Sequence, residues 1–169
     1  MILHLLFHLY HLHHPFIIIV VAVLVLAIAL AICTIVYGST MAVREHHFKR
    51  RLAYSTVSNL SYIIMATCLM TAQGLTAALS HMMFHAVMKI TLFYCAGAIL
   101  VRTGKEYIQD VRGYAKLMPV TCAAFVVAGM SLVGTPPLAG FVSKFNLLTA
   151  AGNAGVLGVI AIAALIISA

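Results

Sequence analysis

Apolar blocks separated by short polar stretches dominate this chain. The first block, residues 16–37, contains no charged residue and no proline. At about 1.5 Å per residue it would form a helix of roughly 33 Å, enough to cross the roughly 30 Å hydrocarbon core of a bilayer. Because lipid offers the backbone no hydrogen-bond partners, a block of this length predicts a transmembrane α-helix.

The same pattern recurs along the rest of the chain. We predict further spans at residues 52–72, 76–101 and 118–133, a helical segment that restarts near Phe141, and a last span at 154–169. Residues 73–74 (Gln-Gly) predict a turn. Pro136, Pro137 and Gly140 predict a break, because a straight helix interior does not accommodate proline. The predicted fold class is therefore all-α: a polytopic helical membrane protein of about five or six spans with one broken helix.

Composition agrees with this interpretation. Hydrophobic residues make up 64% of the chain and charged residues 8%, whereas soluble domains average about 45–50% and about 25%. We interpret the first block as a span rather than a signal peptide, since no Lys or Arg precedes it and it is too long. The four cysteines form no CxxC pair and predict small buried apolar residues rather than disulfides or haem and iron–sulfur ligands.

Basic residues cluster in two predicted loops, residues 39–51 and 102–117. Eight of the ten lie there: Arg44, Lys49, Arg50, Arg51, Arg102, Lys105, Arg112 and Lys116. Two spans separate the loops, so both emerge on one side, and the positive-inside rule predicts that this side is cytoplasmic. We expect a bacterial cell (inner) membrane and contact with anionic headgroups rather than nucleic acid.

Residues 1–15 form a separate His-rich segment. His4, His8, His11 and His14 share one helical face. A metal-binding tract is the less favoured interpretation, because no carboxylate or cysteine accompanies them. A helix end near the membrane interface and a truncation edge remain the alternatives, and residues 16–169 form the membrane domain.

Two charged residues, Lys89 and Lys144, lie inside apolar segments. A mid-bilayer lysine costs at least about 2.5–3.5 kcal/mol, and such residues usually face a bundle interior and mark ion or proton pathways. Snorkelling is the alternative, stronger for Lys144 because it is near a helix break. Broken helices also create ion sites at membrane depth in transporters, which favours a functional Lys144.

His81, His85 and Lys89 follow one another at intervals of four and form one helical stripe about 12 Å long. Histidine titrates near neutrality and burial disfavours the charged form of lysine, so the stripe predicts a ladder of proton-exchanging groups that faces helices or water. A zinc site lacks a third ligand and a catalytic glutamate here. Simple helix–helix hydrogen bonding is the other alternative.

Three segments carry a family resemblance: KRRLAYSTVSNLSYI (49–63), SHMMFHAVMKITLFYCAGAIL (80–100) and MPVTCAAFVVAGMSLVGTPPLAGFVSK (118–144). In this order they closely resemble the antiporter-like proton-pumping subunits of respiratory complex I, of Mrp-type sodium/proton antiporters and of membrane-bound hydrogenase and formate hydrogenlyase complexes. The resemblance implies a polar axis through the membrane, with a His/Lys stripe matched by His81, His85 and Lys89 and a broken helix matched by Lys144. It also implies redox cofactors in other subunits, none in this chain, and partners that include other membrane subunits, lipid, protons and sodium ions.

The chain departs from that family in length. Family members contain two inverted repeats, and this chain resembles only the second, without the first repeat's glutamate–lysine pair. We therefore expect a fragment, a truncated reading frame or one piece of a split subunit. The predicted function is proton or sodium/proton translocation within a respiratory or antiporter complex, with no redox or hydrolytic site of its own. An inert structural membrane piece and an uncoupled channel are the alternatives.

Overall fold

The computed structural model describes residues 2–153 and 155–168, with side chains for 15–153 and 158–166. Six helices follow one another: α1 (Ile2–Arg44), α2 (Phe48–Cys68), α3 (Ala72–Thr103), α4 (Pro119–Val133), α5 (Ala139–Gly152) and α6 (Gly155–Ser168). Two short 3-10 turns, Ile108–Val111 and Tyr114–Lys116, lie between α3 and α4. No sheet forms among the described residues, and the all-α prediction is confirmed.

The first basic loop is shorter than the sequence predicts. Only residues 45–47 lie between α1 and α2, so most of the predicted loop 39–51 is helical. The hydroxyls of Ser39 and Thr40 donate to the carbonyls of Ile35 and Val36 at 2.8 and 2.7 Å. These bonds satisfy the polar side chains within the helix, so the polar composition does not end it.

The predicted turn at residues 73–74 is wrong, because the connection between α2 and α3 lies at residues 69–71. Thr71 caps α3, its side-chain oxygen accepting from the Gly74 N–H at 2.9 Å. A Cβ on Gly74 would lie 2.5 Å from the Ala66 carbonyl oxygen. This glycine therefore allows a close approach between two helices rather than a change of chain direction.

Helices α4 and α5 together make one broken crossing, antiparallel to α3. The connection beside Lys116 leads into α4, and at the far end of α5 the Asn153 amide donates to Gln73 Oε1 at 2.7 Å. With α4 and α5 counted as one crossing, the described helices cross the bundle five times, which agrees with the predicted five or six spans. Residues 134–138, which include Pro136 and Pro137, separate the two halves.

Gly140 does not form part of the break, contrary to the sequence prediction. It is the second residue of α5. A Cβ at this position would overlap the Ser131 carbonyl oxygen on α4. The glycine is needed because the end of α4 and the start of α5 touch through their backbones, and this contact keeps the two halves together.

Two apolar clusters occupy opposite ends of the bundle. One joins α2, α3 and α4 near the basic loops, around Leu92 and Ala128, and the other joins α1, α2, α3, α5 and α6 farther away, around Met65 and Leu147. Buried polar side chains lie between them on α2, α3, α4 and α5: Ser58, Asn59, Ser61, His81, His85, Lys89, Ser131 and Ser143. We call these eight residues the polar layer. It lies at mid-depth in the bundle.

The outer surface of the bundle is apolar, as lipid contact requires. Two described helices, Pro15–Arg44 within α1 and Ala72–Thr103, are individually long and apolar enough to cross a bilayer. Cys95 is buried, whereas Cys33 is exposed on this surface, so burial of all four cysteines was wrongly predicted. The side chains of the N-terminal histidines lie outside the described residues, and the interpretation of residues 1–15 stays a prediction.

Candidate functional site

The histidine–lysine stripe of α3 faces the interior of the bundle. Only 1% of His81, 5% of His85 and 5% of Lys89 is exposed, while Met83 and Val87 on the opposite side of the same helix are largely exposed. This confirms the orientation predicted from the cost of an ammonium in lipid. The three residues of the stripe belong to the polar layer and lie between the two apolar clusters.

Lys89 reaches across to α2. Its Nζ donates to the Leu52 carbonyl oxygen at 2.9 Å and to the hydroxyl of Ser55. An ammonium has three donors and no acceptor, and two of the three are satisfied here by neutral oxygens. Lys89 therefore contacts the half of α2 that is nearer the basic loops.

His81 contacts α5 and its own neighbour on α3. Its Nδ1 lies 3.0 Å from Ser143 Oγ, and Ser143 Oγ also lies 3.1 Å from the Gly140 carbonyl oxygen. The rings of His81 and His85 stack with centroids 6.0 Å apart, and the Tyr62 ring meets His81 edge-on at 5.8 Å. Within the described part of the chain, the Nε2 atoms of both histidines are buried without a hydrogen-bond partner.

Lys144 lies at the break between α4 and α5. Its Nζ donates to the Val133 carbonyl oxygen, in the last turn of α4, at 3.0 Å. Gly134, with φ +96°, ends α4 by donating to the carbonyls of Met130 and Ser131. The end of a helix carries a partial negative charge, so the break offers the Lys144 ammonium both a specific acceptor and a favourable dipole.

Gly134, which ends α4, and Gly140, near the start of α5, leave room for this arrangement. A Cβ on Gly134 would lie 3.1 Å from Lys144 Cδ and would require a strained backbone at positive φ. The Gly140 N–H donates to Ser131 Oγ at 3.3 Å across the break. Small residues at both ends therefore bring Lys144 beside the helix terminus.

A cavity of about 770 Å³ connects Lys144 with the basic end of the bundle. Lys144 and Val133 line one part, and Arg44 and Arg51 line the part beside the loops. From α2, Ser55, Ser58, Asn59 and Tyr62 contribute polar groups to its wall, beside the apolar Leu52. Asn59 donates to the Ser55 carbonyl at 2.7 Å, while its Oδ1 is buried without a partner among the described residues.

The two basic loops meet at the mouth of this cavity. His47 Nε2 and Glu106 Oε2 are 3.2 Å apart, the Phe48 N–H donates to the Glu106 carbonyl at 2.9 Å, and the Ile108 N–H donates to the His46 carbonyl at 3.1 Å. Phe48 and Ile108 also line the cavity. The predicted placement of both loops on one side of the bundle is therefore confirmed.

Sequence reasoning identified the ionisable groups but missed their partners. The sequence analysis did not identify the partners on α2, where Ser55 binds Lys89, and Asn59 and Tyr62 line the cavity. Their spacing at i, i+4 and i+7 was the available signal. Ser143 gave no separate signal. Among the described residues, no group of three His, Cys, Asp or Glu side chains is arranged to hold a metal ion.

Comparison with known proteins identifies the family. The family described as NADH:quinone oxidoreductase/Mrp antiporter, transmembrane, matches residues 2–168. NADH-quinone oxidoreductase subunit N of Desulforudis audaxviator is 39% identical over 126 residues, covering 75% of this chain and 25% of that protein. F(420)H(2) dehydrogenase subunit M of Methanosarcina mazei is 33% identical over 137 residues, covering 80% of this chain and 28% of that protein.

Solved structures agree. The Mrp complex from Dietzia sp. contains a chain that superimposes with a TM-score of 0.79 at 34% identity, covering 86% of this chain and 28% of that one. The archaeal membrane-bound sulfane sulfur reductase gives a TM-score of 0.80 at 30% identity, covering 87% and 31%. The chain thus spans about a quarter of the length of the relatives it matches. It is a multi-pass membrane protein that belongs to the NADH:quinone oxidoreductase/Mrp antiporter transmembrane family.

Proposed function

We propose that this chain carries protons through a membrane, within an ion-translocating subunit of a multisubunit complex. The observation that carries the proposal is the position of Lys144. Its ammonium binds the exposed carbonyl at the end of a broken helix and also lines the cavity that reaches the basic loops. In this proposal Lys144 exchanges protons with water that enters the cavity.

The break suits a group that must both hold and release a proton. The Val133 carbonyl and the α4 dipole stabilise the ammonium, while partial burial in an apolar bundle opposes it. A carbonyl is a neutral partner, so deprotonation leaves no unpaired ion behind. A carboxylate partner would stabilise the ammonium more strongly and would itself be left charged and buried.

Side chains of the polar layer connect Lys144 with Lys89. Ser143 immediately precedes Lys144 on α5 and binds His81, whose ring stacks on that of His85. Lys89 follows one helical turn later on α3, bound to α2. We assign Lys144 and Lys89 as the principal proton carriers, with His81 and His85 between them.

Orientation and partners complete the proposal. Basic loops face the cytoplasm in most membrane proteins, so we place the loops that contain Arg44 and Arg112 on that side of a bacterial cell membrane. Relatives are named as subunits of NADH-quinone oxidoreductase and F(420)H(2) dehydrogenase, which supports other membrane subunits as partners. Sodium/proton exchange is the variant of this function that the likeness to the Mrp complex favours.

Proton flux in vesicles tests the proposal. The chain, with its partner subunits, is placed in vesicles that contain a pH-sensitive dye, and flux is driven by a potassium diffusion potential. Lys144→Ala should abolish the flux while assembly, followed by native electrophoresis, is retained. Lys116→Ala is the control, because it removes the same charge from an exposed loop position.

The outcomes separate the three predicted classes. Exchange that depends on a counter-ion identifies an antiporter subunit, and uncoupled flux identifies a channel. Equal flux in the wild type and in both variants would contradict a role for Lys144, and no flux in any assembled sample would indicate an inert structural piece.

A further inference from the structure

Ser143 connects the break to the histidine stripe. Its side chain is completely buried, and its hydroxyl lies 3.0 Å from His81 Nδ1 and 3.1 Å from the Gly140 carbonyl oxygen. His81 is 62 positions away in the sequence, so this contact exists only because α5 packs on α3. The other groups near the His81 ring are Tyr62 on α2, His85 on α3 and the charged Lys144 on α5.

Counting protons gives the direction of these two hydrogen bonds. A hydroxyl has one hydrogen to donate and two lone pairs, while a carbonyl oxygen only accepts. The contact with Gly140 therefore uses the Ser143 hydrogen, a back-bond to the preceding turn that serine commonly makes in helices. The Ser143 lone pairs are then directed at His81 Nδ1, so this nitrogen carries the hydrogen.

The opposite arrangement is less favourable. If Ser143 donated to Nδ1, a neutral His81 would carry its hydrogen on Nε2, which is buried without a partner among the described residues. An unpaired N–H in a protein interior is rarer than an unpaired acceptor, because an unmade hydrogen bond is costly there. The arrangement with hydrogen on Nδ1 leaves Nε2 as the unpaired acceptor instead.

We propose that Ser143 is a positioning residue that holds His81 in the Nδ1–H tautomer and so reserves Nε2 as the atom at which His81 gains and loses a proton. Addition of a proton to Nε2 gives an imidazolium whose Nδ1–H still binds Ser143. Loss of the same proton restores the neutral ring without rotation. The use of Nε2 for proton transfer rests on the proposed function, whereas the assignment of the Nδ1–H tautomer does not.

Nitrogen NMR of the full 169-residue chain in lipid bilayers tests the tautomer directly. The histidines carry ¹⁵N in both ring positions, and the spectrum is recorded at about pH 9, above the range in which an ordinary histidine titrates. The His81 signals are assigned as those that disappear in His81→Gln. We expect a protonated Nδ1 and an unprotonated Nε2, because protonated and unprotonated ring nitrogens resonate far apart.

Two serine variants separate positioning from general packing. Ser143→Ala should convert most of the His81 signal to the Nε2–H form or to a mixture. Ser131→Ala is the matched control, because Ser131 is also buried and also binds Gly140, yet it does not contact His81. Ser131→Ala should keep the wild-type tautomer of His81. Ser143→Thr retains the hydroxyl and should therefore also show the wild-type tautomer.

A wild-type His81 that carries its hydrogen on Nε2, or on both nitrogens at this pH, would overturn the inference without any variant. A Ser143→Ala spectrum identical to that of the wild type would also overturn it. If the tautomer changes as expected while proton flux in the assembled complex is unaltered, Ser143 keeps its positioning role and the proposed role of His81 in the proton route is wrong.

Discussion

Replacing Gly140 with alanine should destabilise the bundle by separating the two halves of its broken helix. The added Cβ would overlap the Ser131 carbonyl oxygen and would lie 2.7 Å from the carbonyl carbon, while Met88 Sδ lies 3.5 Å away. The methionine side chain can rearrange, but the carbonyl belongs to the backbone of α4, so α5 must shift as a whole. Overpacking of this kind typically costs about 1–3 kcal/mol.

A matched control is available in the same bundle. Gly97, in the interior of α3, has no atom within 4 Å of the position that a Cβ would occupy. Alanine is favoured over glycine in helix interiors by up to about 1 kcal/mol. Gly97→Ala should therefore be neutral or slightly stabilising, and any difference between the two variants reports the collision at the break rather than the change of residue type.

Thiol reactivity measures the effect. Cys95 is buried whereas Cys33 is exposed, so the variants are made in a chain that keeps Cys95 as its single cysteine, and a dye that fluoresces on binding thiols then follows unfolding during heating in detergent. For a chain of this size, each kcal/mol corresponds to a shift of about 2–4 °C in the midpoint. Gly140→Ala should melt several degrees below the wild type. A midpoint equal to that of Gly97→Ala would refute the close backbone contact between α4 and α5.

Three further predictions concern the proposed function and the loops. Lys144→Arg should stop proton flux as Lys144→Ala does, because guanidinium remains charged near neutral pH. Lys144→Glu should retain part of the flux, since a buried carboxyl group can still exchange a proton. Both variants are measured in the vesicle assay, and normal flux in the arginine variant would contradict proton release from this position. Single cysteines that replace Arg44 and Arg112 in an otherwise cysteine-free chain should both react with a membrane-impermeant reagent from the cytoplasmic side only, and labelling from opposite sides would reject the proposed orientation. Glu106→Gln removes the carboxylate that lies 3.2 Å from His47 Nε2 and should raise the labelling rate of a cysteine in either loop, an effect that unchanged rates would exclude.

The spans, the meeting of the two loops at one end of the bundle and the direction of the α3 stripe were predictable from sequence because each depends on local composition. Long apolar blocks must be helical in lipid, and an ammonium such as that of Lys89 must avoid acyl chains. Other features depend on contacts between distant segments. Gly140 looks like a helix breaker until its contact with Ser131 is known, and Ser143 has no visible role until α5 packs against His81.

The choice of partners for Lys89 and Lys144 also links fold to function. Among the described residues, neither Lys89 nor Lys144 forms an ion pair; each donates to a backbone carbonyl, that of Leu52 in the first turns of α2 and that of Val133 in the last turn of α4. A carbonyl offsets part of the cost of burying an ammonium, yet it leaves no charge behind when the proton departs. A bundle that only needed stability would be served as well by apolar side chains at both positions. Retention of two lysines with neutral partners, one of which lines the cavity, therefore supports groups that change their protonation state over groups that hold the helices together.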